Sequence, residues 1–158
     1  MKSIISVLLF LYIIPSNKAQ SFTEINGEFI GVTNSQISIG DFNNDDYLDF
    51  VIAGKKDDVY TSYDVKLYKN NGDNSFTELS FASNINRVSQ IRFFDFNNDG
   101  FLDIISQIYD PFSRVVIYFN DKNENFIEYE LSFYTLGQSF DLGDIDNDSD
   151  IDIVVSGF

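Results

Sequence analysis

Acid and amide residues recur at fixed spacing in three nine-residue segments, 41–49, 95–103 and 144–152. In each segment an Asp or Asn stands at positions 1, 3 and 5, and an Asp stands at position 9. On a tight loop these alternate side chains point toward one centre, so their oxygens can surround a hard cation. The three segments share this register and together hold 12 of the 25 acidic residues, which the turn-forming tendency of Asp and Asn does not explain.

Calcium suits such a loop, because it takes about six to eight oxygen ligands at about 2.3–2.6 Å. The spacing predicts up to three calcium ions, with position 7 adding a backbone carbonyl. Segment 95–103 is the best formed, since Gly100 accepts the left-handed backbone that position 6 requires, where the other segments have Asp46 and Ser149. The predicted ligands are Asp41, Asn43, Asp45, Tyr47 and Asp49; Asp95, Asn97, Asp99, Phe101 and Asp103; and Asp144, Asp146, Asp148, Asp150 and Asp152.

The composition excludes several other kinds of chemistry. The 158 residues include no His and no Cys, which excludes Ser-His-Asp triads, imidazole or thiolate metal sites and disulfides. A formal charge of -15 argues against a nucleic-acid partner, because such a partner requires a basic surface. With 44% hydrophobic residues the chain is also too apolar to be an acidic disordered tail.

Residues 1–19 have the layout of a secretory signal peptide. Lys2 precedes an apolar run at 4–14, and Ala19 offers a cleavage position. The run is shorter than the roughly 20 residues that a membrane span needs, and no later segment could cross a membrane. A buried strand or an uncleaved anchor is the alternative. The sequence therefore predicts a secreted protein, placed outside the cell, on its surface or in the periplasm.

Each acidic segment lies between two short apolar runs that read as strands, so the segments are predicted to be hairpin loops. Around the second segment these runs are 91–94 and 104–105, and two further strands at 115–119 and 126–129 complete the unit. The strand before the acids is expected to bury one of its faces, and the strand after the acids is expected to bury both faces. Four strands in about 50 residues, repeated along the chain, are typical of β-propeller blades.

The predicted fold is therefore all-β, a partial β-propeller of about 2.5–3 four-stranded blades. It is too short to close a ring alone, because propellers close with about 4 to 8 blades. The repeat region 20–158 divides into units at about 27–80, 81–135 and an incomplete 136–158, with 22–25 as an orphan outer strand. Open sheet edges then favour self-association or pairing with missing blades.

The loops, and the residues at 95–103 above all, resemble the FG-GAP/VCBS repeat family, whose members share the calcium-loop blades of integrin α-subunit propellers. The outer hairpin at 67–72 followed by Phe76 also looks like that family's. The resemblance covers roughly residues 22–158. It implies a bladed β-propeller with calcium bound in the hairpin between the first two strands of a blade. Asp46 and Ser149 depart from the family's pattern at position 6.

These features predict a secreted binding or adhesion module with structural calcium and an unidentified protein or glycan ligand. A carbohydrate-binding, lectin-like module is the alternative, although most of the 17 Phe and 9 Tyr fall at strand positions. An accessory part of a polysaccharide-degrading enzyme is a further alternative. The chain is predicted not to be an enzyme, because its clustered carboxylates are committed to cations. The remaining pair Asp57 and Asp58 is interpreted as an exposed hairpin tip.

Overall fold

The computed structural model describes residues 24–25, 27–56, 63–82, 87–109, 112–135 and 139–156. Within these ranges the chain forms ten β-strands and no helix, which confirms the all-β prediction. The strands are β1 (Thr33–Gly40), β2 (Asp49–Lys55), β3 (Tyr63–Asn70), β4 (Phe76–Leu79), β5 (Arg87–Phe94), β6 (Asp103–Tyr109), β7 (Ser113–Asn120), β8 (Phe126–Thr135), β9 (Phe140–Gly143) and β10 (Asp152–Val155).

Several predicted features lie outside the described residues. These are the signal peptide at 1–19, the pair at 57–58 and the first half of the orphan strand at 22–25. Glu24 and Ile25 are described and belong to no strand, so the orphan outer strand stays a prediction. The part of the chain that is described contains no helix long and apolar enough to cross a lipid bilayer.

The strands form three antiparallel sheets, which are here called the first, second and third blades. Their strand orders are β1-β2-β3-β4, β5-β6-β7-β8 and β9-β10, so strands that are consecutive in sequence are neighbours in space. This meander is the arrangement of propeller blades, and the described strands close no ring. The same register flanks each acidic loop. The facing pairs are Gly40 and Asp49, Phe94 and Asp103, and Gly143 and Asp152.

The larger core lies between the first and second blades. Val51 and Leu67 of the first blade pack in one cluster with Ile91, Ile104 and Tyr118 of the second. All five side chains are buried, and each large apolar side chain contributes about 1.5–3 kcal/mol when it leaves water. Face-to-face burial therefore holds the first two blades together.

A smaller core joins the second and third blades. Ile105, Val115 and Ile117 pack against Phe140, and Ile153 covers this cluster from the third blade. The second blade is therefore covered on both faces, which explains why β6 is buried along nearly its whole length. The apolar run at 104–105 predicts this double burial, which in β6 extends to the polar Ser106 and Gln107 as well.

The strand β1 differs from the one-sided burial that its sequence predicts. Its small residues face the second blade, where Ser38 Oγ accepts a hydrogen bond from Phe93 N–H at 2.9 Å. A Cβ at Gly40 would lie 2.5 Å from a methyl carbon of Leu102, so a larger residue at this position would require the Leu102 side chain to move. The apolar side chains of Ile37 and Ile39 point to the opposite face and are exposed, because no described residue covers them there.

A segment that precedes β1 covers the other part of that opposite face. The Phe29 ring lies 5.3 Å from the ring of Tyr68 and 5.4 Å from that of Phe76, both in edge-to-face geometry. Ile30 N–H also donates to the Tyr68 hydroxyl at 3.0 Å. The second blade repeats this packing with the rings of Phe81, Tyr118 and Phe126.

Candidate metal centre

The three acidic loops connect the first two strands of each blade and are here called the first (41–49), second (95–103) and third (144–152) loops. The Asp at position 1 closes each loop with two backbone hydrogen bonds. Asp41 accepts from Asp45 N–H at 3.1 Å and from Asp46 N–H at 2.8 Å. Asp95 and Asp144 accept the corresponding bonds at 2.9–3.1 Å. All three loops therefore share one backbone course.

Positions 4 and 6 have a left-handed backbone in every loop. The sequence predicts this for position 6, and the positive φ angles there agree with that prediction. Position 4 is not predicted, although Asn stands there in all three loops and Asn tolerates this conformation better than most residues. The φ angles are 59° at Asn44 and 70° at Asp46, 55° at Asn98 and 86° at Gly100, and 63° at Asn147 and 74° at Ser149.

Position 5 turns one carboxylate oxygen to the backbone of position 7. Asp99 Oδ1 accepts from Phe101 N–H at 3.0 Å, and this bond lowers the pKa of Asp99, as does the nearby Lys122 ammonium. The other two loops contain the same bond, from Tyr47 to Asp45 and from Asp150 to Asp148. The second oxygen of position 5 has another partner in two loops, since Asp45 Oδ2 accepts from Asn43 Nδ2 at 2.8 Å and Asp99 Oδ2 lies 3.2 Å from Lys122 Nζ. A role for the carbonyl of position 7 stays a prediction.

The last Asp of the first loop is buried and holds two strands in place. Asp49 Oδ2 accepts from Phe42 N–H at 3.1 Å, and Oδ1 accepts from Asn70 N–H at 2.8 Å at the end of β3. Asp103 does the same in the second loop, with Phe96 and Asn120 as donors. Since a carboxylate has about four acceptor positions, each of these acids can still bind a cation.

The pKa of Asp49 is raised to about 6. Burial is the largest cause, and the nearby Asp45 and Asp41 charges add to it, against the two backbone hydrogen bonds that lower the pKa. Burial likewise raises the pKa of Asp103. A positive charge in either loop would favour the carboxylate form and reverse this effect.

The third loop brings its acids closest together. Single carboxylate oxygens of Asp144, Asp146 and Asp152 lie within 4.8 Å of one another, at positions 1, 3 and 9. Two oxygens that bind the same calcium at about 2.3–2.6 Å fit within this separation. The second loop has the expected Gly100, yet the described residues place this tight group of acids in the third loop.

The first loop contains a buried oxygen that lacks a partner among the described residues. Asn43 Nδ2 donates to Asp45 Oδ2 at 2.8 Å and to Glu124 Oε1 at 3.4 Å, whereas Asn43 Oδ1 makes no hydrogen bond. In the second loop the corresponding Asn97 oxygen accepts from Asp99 N–H at 3.0 Å. A buried polar atom without a partner costs about 1–3 kcal/mol, and a bound cation would satisfy it. The donor set of this loop therefore fits a hard cation.

Glu124 is a residue near this site that the sequence does not predict. It lies in the turn between β7 and β8 of the second blade, and its carboxylate pairs with Lys69 of the first blade next to Asn43. No spacing rule could have identified it, because its position depends on how the two blades pack.

Polar contacts also join the first two loops directly. Asn44 Nδ2 donates to the Gly100 carbonyl at 2.9 Å. The buried Asn120 amide donates to the carbonyls of Phe42 and Leu102, one from each loop, at 2.8 and 3.1 Å. These hydrogen bonds therefore couple the structures of the first and second loops.

Comparison with protein families identifies the repeat. The model for an FG-GAP-like repeat matches residues 41–106 and again residues 95–155, and both matches begin at the first Asp of a loop. No curated protein and no solved structure matches the chain. Repeats of this type form β-propeller-like modules that are generally used for binding rather than catalysis. Since the matches together span residues 41–155 of 158, the chain belongs to the FG-GAP-like repeat family.

Proposed function

We propose that the chain is an exported binding module whose three acidic loops bind calcium in a structural role. The convergence of Asp144, Asp146 and Asp152 carries this proposal. Three carboxylates held this close repel one another, and a divalent cation between them turns the repulsion into attraction. Oxygen-only donors with no His or Cys favour calcium over transition metals.

The first and second loops support the same assignment. Their position 1 acids occupy the same hydrogen-bonding frame as Asp144. Asn43 Oδ1 would gain a partner from a cation, and the buried Asp49 would gain a counter-charge. We therefore assign up to three calcium ions to the chain, one in each loop.

The role of the ions is to stabilise the blades. A cation that binds only the folded chain adds to its stability by mass action. Extracellular calcium modules bind with Kd values of about 10⁻⁴–10⁻³ M, so the loops would fill after export and stay empty inside the cell. Calcium would also lower the self-repulsion of a chain with a formal charge of -15. A protein or glycan partner would then bind the stabilised module in adhesion.

The test is a thermal melt of the exported chain, followed by circular dichroism in excess EGTA, in calcium and in magnesium. We expect calcium at a few times its Kd to raise the midpoint by several degrees, because about 1 kcal/mol of binding energy corresponds to roughly 2–4 °C for a chain of this size. Magnesium should have little effect, since it retains its water and demands a stricter geometry. Mass spectrometry of the exported product would show whether cleavage follows Ala19.

Position 3 provides a matched pair of variants for this melt. Asp146→Asn removes one charge from the third loop but retains an oxygen for Asp148 N–H, as Asn97 does for Asp99 in the second loop. Asn97→Asp makes the opposite change. We expect the first variant to weaken calcium binding in its loop by about tenfold and the second to strengthen it. Backbone amide shifts of each loop in NMR titrations would report the separate affinities.

A folded chain whose melt and loop amides ignore calcium would contradict the proposal. So would an equal response to magnesium, because the loops would then act as unselective acidic turns. Failure of export alone would overturn the location while leaving the loop assignment to the melt.

A further inference from the structure

We infer that a second copy of this chain docks head to tail, the first blade of one copy packing on the third blade of the other. Two surfaces carry this inference. The leading face is the exposed part of the first blade, with Ile37, Ile39 and Leu48. The trailing face is the exposed part of the third blade, with Ile145 and Val154. This inference goes beyond the proposed calcium function and does not depend on it.

The second blade shows what the leading face is built to contact. Ile37 and Ile39 stand four and two residues before the first Asp of their loop, as Ile91 and Phe93 do in the second blade. Ile91 and Phe93 are 2% and 9% exposed because the first blade covers them. Ile37 and Ile39 are 56% and 65% exposed. The same positions are therefore apolar in both blades and covered in only one.

The first blade shows the same for the trailing face. Ile145 is position 2 of its loop and Val154 stands two residues after the last Asp, which makes them the equivalents of Phe42 and Val51. Phe42 and Val51 are completely buried against the second blade. Ile145 and Val154 are 61% and 52% exposed.

The two faces are the two halves of a contact that the chain already makes once within itself. In that contact Phe42 stacks on Phe93 with ring centroids 6.2 Å apart and planes 7° from parallel. Docking the trailing face of one copy on the leading face of another would bring Ile145 to Ile39 in the same way. Exposed apolar patches of this kind mark interaction sites.

The cover on the first blade leaves room for this partner. Phe29 packs over Tyr68 and Phe76, as Phe81 packs over the corresponding rings of the second blade. In the second blade the remaining half of that face is filled by the first blade. In the first blade the remaining half is the leading face. The contact is heterologous, so each copy retains one free face for a further copy.

The experiment measures the mass of the exported chain by sedimentation over a range of concentrations, at a salt concentration that screens the acidic surface. The wild type should form dimers and larger species. Ile39→Glu blocks the leading face and Val154→Glu blocks the trailing face. Each variant alone should associate at least about tenfold more weakly, because the contact would bury an unpaired charge.

An equimolar mixture of the two variants distinguishes this geometry from others. The intact trailing face of one variant can dock on the intact leading face of the other, so the mixture should form a dimer and nothing larger. Ile127→Glu, at an equally exposed apolar position on β8 of the second blade, is the matched control and should associate like the wild type. Circular dichroism would confirm that all three variants remain folded.

A wild type that stays monomeric at all concentrations would overturn the inference and leave the two faces for a different partner. A single variant that still forms a full dimer would also overturn it, because the contact would then join two like faces. The inference is equally wrong if the mixture fails to associate or if Ile127→Glu abolishes assembly.

Discussion

The second and third loops have the same acid spacing, but they differ in what surrounds their last Asp. Asp103 is 1% exposed and accepts hydrogen bonds from Phe96 N–H and from Asn120 N–H at the end of β7. Asp152 accepts from Ile145 N–H, and no third strand lies beside it within the described part of the third blade. The same acidic motif therefore has a third strand beside it in the second blade and none among the described residues of the third blade.

The difference shows that the third strand of a blade determines how much the last Asp of the loop contributes to the stability of the sheet. Where that strand is present, its final Asn donates to the acid and locks it into the blade. In the third blade, whose described residues include no third strand, the acid joins the open group with Asp144 and Asp146. The last Asp of a loop can thus stabilise the sheet and bind a cation, and the neighbouring strand determines which of these roles is the larger.

The last acid should contribute more to stability in the second loop than in the third. Asp103→Asn replaces one acceptor oxygen by an NH₂ group and leaves a buried backbone donor unpaired, so we expect the free energy of unfolding to fall by about 1–3 kcal/mol. Asp152→Asn should lower it by far less in the absence of calcium, because Asp152 is only partly buried and water can replace the lost acceptor. Urea unfolding of both variants in EGTA measures the two values, and equal losses would contradict our explanation.

The backbone conformation at position 6 should have a smaller effect on the stability of the second and third loops. A Cβ at Gly100 would meet no atom within 4 Å, so Gly100→Ala tests the φ of 86° alone and should destabilise the chain by about 0.5–1 kcal/mol. Ser149→Gly, at a φ of 74°, should stabilise it by about 0.5 kcal/mol. Thermal melts of this matched pair in EGTA should therefore move in opposite directions. A shared direction would mean that contacts rather than backbone conformation dominate.

The smallest effect concerns the attachment of the third blade. Arg92 Nη1 lies 2.7 Å from Asp141 Oδ1, and this hydrogen bond is the largest cause that lowers the pKa of Asp141 below its usual 3.8. Because the folded pKa is lowered, the pair stabilises the fold above the usual pKa and loses that contribution as the solution becomes more acidic. Arg92→Gln should raise the pKa of Asp141 toward 3.8, as followed by NMR of its carboxyl carbon.

Both groups of that pair are largely exposed, so the same substitution should change the free energy of unfolding very little. The backbone bond from Leu142 remains in the variant and should keep part of the shift. An unchanged pKa would show that Arg92 does not hold the third blade through this contact.

The local parts of this protein can be predicted from the order of its residues alone. Repeated acid spacing, alternating with short apolar runs, predicted the strands, their hairpins and the family of the repeat. The left-handed backbone at Gly100 followed from the residue type, and the repeated Asn98 position could have been found in the same way. These features depend on neighbours within a few residues, so the order of residues is sufficient to predict them.

Which apolar and acidic side chains are covered depends on how the blades pack against one another. The contact of Ser38 with Phe93 spans 55 residues, and that of Asn43 with Glu124 spans 81. The sequence predicts apolar residues at both Ile39 and Phe93, but one is exposed and the other is buried because only one has a blade packed against it. The burial of a side chain depends on the residues that surround it. These residues are distant in the sequence, so a local pattern does not predict which of them will come together.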